Sequence, residues 1–162
     1  MIVWEIDESV FPDEESASAF YGSCHAAAET FGLDGPSFMV VVRAEDRPDE
    51  LDETVQAYTE VQIVTRKAKI VLCIPLSEGY AGLRSVFDWR VLAWHEMFHV
   101  WQGEFGLSKV TDRAEATGDT DLVSGFIERM TDGIAMILAS HEEGIDRCRG
   151  PRRRNGLRWI GW

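Results

Sequence analysis

The stretch that decides how this chain is read is Val91-Leu92-Ala93-Trp94-His95-Glu96-Met97-Phe98-His99-Val100-Trp101. Val91, Leu92, Trp94, Phe98 and Trp101 recur at helical spacing, so the segment predicts a helix. On a helix, residues four apart lie one above the other, and His95 and His99 can then offer two imidazole nitrogens to one metal ion. Glu96 follows the first histidine and can act as general base on a water held by that metal. The pattern fixes only three positions, so its weight comes from the helical setting and from two of only four histidines taking this spacing.

Working outward, 162 residues fit one domain with a substantial core. Hydrophobic residues make up 45% and charged residues 27%, the balance of a globular protein rather than a disordered one. No run approaches the length of a membrane span, and Met1-Ile2-Val3-Trp4-Glu5-Ile6-Asp7 lacks the basic and apolar regions of a leader. Cys24, Cys73 and Cys148 are widely spaced and odd in number. The first two sit in apolar segments as small core residues, and the expectation is a cytoplasmic protein.

Charge is unevenly spread. Residues 147–162 carry six arginines and no acid, leaving ten cations against 28 acids in the first 146 residues. An acidic body disfavours nucleic acid as partner, because phosphate contacts need clustered cations. The expected organisation is one domain over 1–146 followed by a basic tail over 147–162.

Alternation predicts a strand over 1–6, and Phe20, Cys24, Ala27, Ala28 and Phe31 at helical spacing predict a helix over 13–33. Strands follow over 38–42, 55–64 and 68–74, with an acidic loop over 45–52 and a turn over 77–82. The His95–His99 helix starts near Ser85 or Asp88 and ends at Gly103. A further helix carries Val123, Phe126, Ile127, Met130, Ile134, Ile137 and Leu138 as one apolar stripe. Helices backing one small sheet make the fold class α+β.

With that element order and the H-E-x-x-H motif, the chain resembles the zincin metallopeptidases. The resemblance implies a small twisted mixed sheet backed by the N-terminal helix, an active-site helix, and a following helix bearing a glutamate ligand. It also implies an antiparallel strand at the sheet edge that pairs with extended substrate, either 68–74 or 55–64. The implied activity is zinc-dependent hydrolysis of peptide bonds, with Glu96 assisting attack by zinc-bound water on a peptide or protein substrate.

Catalytic zinc takes three protein ligands and leaves one position open. The metzincin continuation fails, because Gln102 and Phe105 stand where glycine and histidine are needed. The gluzincin pattern E-x-x-x-D occurs twice, as Glu115–Asp119 and as Glu128–Asp132. Extending the apolar stripe backward puts Asp119 within it and Glu115 at its edge, and places Glu128 on the opposite, solvent side. Helical phase therefore favours Glu115 as third ligand, with Asp119 orienting a histidine and Glu128 as the alternative. Among other candidates, Tyr80 is placed to meet an oxyanion by position alone. His25 reads as a partly buried structural imidazole, His141 as too distant, and Glu104 as a capping or solvated carboxylate. The alternative function is a non-catalytic zincin-like module that binds metal or regulates a partner; retention of Glu96 argues against it.

Overall fold

A computed structural model describes residues 1–51, 55–74, 85–104 and 116–144. Glu115, Tyr80 and the basic tail lie outside these residues. Strand β1 (Ile2–Glu5) leads through a short 3-10 turn into helix α1 (Glu14–Phe31), then strands β2 (Met39–Asp46), β3 (Ala57–Gln62) and β4 (Lys67–Ile74), helix α2 (Val86–Glu104) and helix α3 (Thr120–Glu142). The α+β class and the small mixed sheet are as expected.

Local chemistry sets the boundaries. Asp13 caps α1 by accepting from Ser16 N at 2.7 Å, and Gly32 ends it in the left-handed region at φ 69°. Ser85 and Asp88 are both part of the start of α2. Asp88 N donates to Ser85 Oγ at 3.3 Å, while Ser85 N donates back to the Asp88 carboxylate at 2.9 Å, a reciprocal cap. β2 runs to Asp46, four residues past the apolar run that predicted it. Its charged residues continue the strand by pairing across it: Arg43 lies 2.6 Å from Glu5 and Lys69 lies 3.0 Å from Glu45.

The sheet order is β1-β2-β4-β3, with β1, β2 and β4 mutually parallel and β3 antiparallel at the edge. Of the two strands proposed for the rim, β3 takes that place. Val40, Val42, Ala68, Ile70 and Leu72 point from one sheet face into the main core, against Phe20, Cys24, Ala27, Trp89 and Met97. α2 is buried nearly all round, which explains why its sequence reads as a run and not as a stripe.

The antiparallel register pairs Thr59 with Ile70 and Val61 with Ala68, so both side chains share the face toward α2. Gly103 lies inside α2 rather than ending it. A Cβ there would fall 2.6–2.9 Å from the Val61 side chain, so the missing side chain is what admits the edge strand. Glu104 closes the contact as an ion pair with Arg66 at 2.8 Å.

α3 overturns the phase assigned from its large apolar residues. Phe126 and Ile137 are 63% and 64% exposed, while Thr131, Ala135, Ala139 and Ser140 are buried. The inward line is small and polar because α3 packs against the bulky α2 at close range. Glu128, assigned to the solvent side, consequently turns toward α2. Among the described residues, no helix is long and apolar enough to cross a membrane.

Candidate metal centre

His95 and His99 sit one turn apart on α2 with their Nε2 atoms 3.0 Å apart. Glu128 on α3 reaches both: its Oε2 is 3.5 Å from His95 Nε2 and its Oε1 is 3.5 Å from His99 Nε2. These three side chains form the group among the described residues that could hold a metal ion, with ligand atoms within 4.8 Å of one another. A tetrahedral zinc with bonds near 2.0–2.1 Å separates its ligand atoms by roughly 3.3 Å. The separations here bracket that value, and two imidazoles with one carboxylate are a donor set zinc accepts. The residues fit the ion.

The outer atoms of both rings are also engaged. His95 Nδ1 faces Asp132 Oδ1 at 3.0 Å, and His99 Nδ1 faces Gln102 Oε1 at 2.8 Å. Partners of this kind fix ring orientation and leave Nε2 for the metal. One turn of α3 thus supplies Glu128 and, four residues on, the carboxylate that holds His95.

The electrostatics of the cluster points the same way. Burial is the largest influence on His95 and disfavours its charge. The hydrogen bonds it donates to Asp132 and Glu128, with the charges of Glu96 and Glu128, outweigh it and push the pKa up to about 10. Burial also works to raise Glu128, but His95 and His99 hold it down to about 2. A protonated imidazole paired with a carboxylate places positive charge where a cation would bind.

Glu96 is 3% exposed and its Oε2 accepts the Thr59 hydroxyl at 2.7 Å. The carboxylate beside the metal-ligating pair is thereby tied to the edge strand. Thr59, Gln102 and Thr131 are polar residues that sequence reasoning passed over. Their one available signal was a polar side chain at helical or strand spacing among buried neighbours.

Other expectations fare differently. Asp119 is exposed at the N-terminus of α3. Nine residues before Glu128, it lies about 13 Å away along the helix, and Asp132 occupies the position against His95. His25 is exposed rather than partly buried, edge-on to Trp4 at 5.6 Å, and His141 is exposed near the end of α3. Comparison with protein-family models, curated proteins and solved structures found no match to this chain, so its reading rests on its own residues.

Proposed function

We propose that this chain is a zinc-dependent metallopeptidase in which His95, His99 and Glu128 hold the metal and Glu96 is the general base. The observation that carries the reading is the convergence of both Nε2 atoms and the Glu128 carboxylate, with both Nδ1 atoms engaged behind them. When bound, zinc supplies a Lewis acid for the scissile carbonyl and a water acidic enough to lose a proton near neutrality.

The chain's own groups do the rest. Thr59 holds Glu96 Oε2, leaving Oε1 to take the proton of the attacking water. As the water oxygen bonds to the carbonyl carbon and the C–N bond breaks, Glu96 returns that proton to the departing amine. Asp132 and Gln102 keep the imidazoles aimed. β3, with one side paired to β4, offers its outer edge to an extended peptide through backbone hydrogen bonds.

The test is zinc content by mass spectrometry together with cleavage of a quenched fluorescent peptide mixture. About one zinc per chain is expected in the wild type and in Glu115→Ala, and loss is expected in His99→Ala and Glu128→Ala. Glu96→Gln should keep zinc and lose cleavage by at least about a hundredfold. A wild type that takes up no zinc on reconstitution sinks the proposal. Zinc binding without cleavage in wild type and Glu96→Gln alike favours the metal-binding module instead, and loss of zinc in Glu115→Ala alone moves the third ligand.

A further inference from the structure

Behind His99 lies a buried hydrogen-bond chain whose direction is dictated from its far end. Thr131 Oγ1 donates to Ile127 O, one turn back on α3, at 2.9 Å. A hydroxyl has one proton, so toward Gln102 the same oxygen can only accept. Gln102 Nε2, 3.2 Å away, is therefore the donor. With its amino group committed to Thr131, the Gln102 amide presents Oε1 to His99 Nδ1 at 2.8 Å. A carbonyl oxygen only accepts, so His99 Nδ1 must carry a proton, and in the neutral ring Nε2 is left with its lone pair. That lone pair points at the gap between His95 Nε2 and Glu128.

Burial makes this polarity binding. Gln102 is 4% exposed and Thr131 is fully enclosed. No bulk water is at hand to replace a broken link, and an unpaired amide in that setting costs far more than one at the surface. The chain also joins the two helices that carry the ligands: His99 and Gln102 are on α2, Thr131 and Ile127 on α3.

We propose that Gln102 and Thr131 are positioning residues forming a tautomer lock, which holds His99 as an Nε2 ligand before any metal arrives and registers α3 against α2. The proposal rests on the metal site proposed above and adds what prepares it. Thr131 acts only through Gln102, and Gln102 only through His99.

The test is zinc affinity by chelator competition, with nitrogen-15 NMR of the histidine side chains in the zinc-loaded protein. Gln102→Leu should weaken zinc binding about ten- to a hundredfold, the range for losing such an outer partner. Thr131→Val, close to isosteric, should weaken it by several-fold, and Thr131→Ser should restore it to within about twofold, since a serine hydroxyl keeps the link. A slowly exchanging Nδ1–H of His99 should be seen in wild type and Thr131→Ser and lost in Gln102→Leu. Should Gln102→Leu fail to fold by circular dichroism, the Thr131 pair carries the comparison alone. Wild-type affinity in both Gln102→Leu and Thr131→Val, or ligation of zinc through His99 Nδ1, overturns the lock while leaving the metal site standing. Absence of zinc from the wild type removes both.

Discussion

Gly103→Ala is the substitution on which helix propensity and packing disagree most sharply. Gly103 lies one residue from the end of α2, and alanine is favoured over glycine inside a helix by about 0.8–1.0 kcal/mol. Against this, the new Cβ would meet Val61 Cγ2, Cβ and Cγ1 at 2.6, 2.7 and 2.9 Å. Those atoms belong to a branched side chain fixed close to its strand, so relief requires β3 to move away from α2. Overpacking of this kind costs about 1–3 kcal/mol and, when the backbone must shift, falls toward the upper end. The expected net loss is about 1–2 kcal/mol, a fall in Tm of roughly 3–6 °C for a domain of this size. Urea unfolding of wild type, Gly103→Ala, Val61→Gly and the double variant measures it, with unchanged slopes as the check on two-state behaviour. Val61→Gly should cost distinctly less in the alanine background than alone, because it removes the clash as well as the contact. A Gly103→Ala protein more stable than wild type, or a cycle without coupling, would refute the close approach of strand and helix.

Four further outcomes follow from the same geometry. Metal-free stability should be greatest between about pH 4.5 and 6.5: His95, raised from 6.5 to about 10, loses its contribution as pH rises through that range, and Glu128, lowered from 4.5 to about 2, loses its own as pH falls through it. Zinc added at pH 8 should consequently expel about one proton from His95, read by calorimetry in buffers of different ionisation enthalpy; proton-neutral binding would contradict the pairing. Thr59→Val should keep zinc and KM but lower kcat about tenfold or more, the worth of a hydrogen bond to a charged base, and an unchanged kcat would free Glu96 from the strand. Phe126→Glu, at a position 63% exposed, should change stability by no more than about 0.5 kcal/mol, whereas Ala135→Leu, at a fully buried one, should cost about 1–3 kcal/mol; the reverse order would restore the apolar stripe as the core face.

Much of the framework was legible because its signals are local. Asp13 and Gly32 bound α1, and Ser85 with Asp88 opens α2, by hydrogen bonds spanning three or four residues. The histidine pair was legible for the same reason, since spacing on one helix is a property of sequence alone. The rim strand was narrowed to two candidates, and only pairing could choose between them. β2 was read too short because hydropathy ignores charges that pair across strands. Thr59 had no spacing rule to betray it, because its partner Glu96 is 37 residues away; Gln102 stands one turn from His99, but its orientation is set by Thr131, 29 residues away.

The phase of α3 failed for a more instructive reason. Apolar size was used to find the inward face, on the premise that large side chains seek the core. α2 meets α3 with His95, His99, Gln102 and Trp94, whose Nε1 donates to Glu142 Oε2 at 2.8 Å, and a second helix lined with Phe126 and Ile137 could not come near them. Glu128 must stand within 3.5 Å of two imidazoles that are themselves anchored in α2. A carboxylate that short of reach demands close helix packing, and close packing demands small neighbours, which Thr131, Ala135 and Ala139 provide on the same line. The site thus dictates the rotation of the helix, and the larger apolar residues go to the surface as a consequence. Where a chain must bring a ligand from one helix to two on another, the run of small residues a turn or two beyond an acid marks the inward face better than the hydrophobic stripe does.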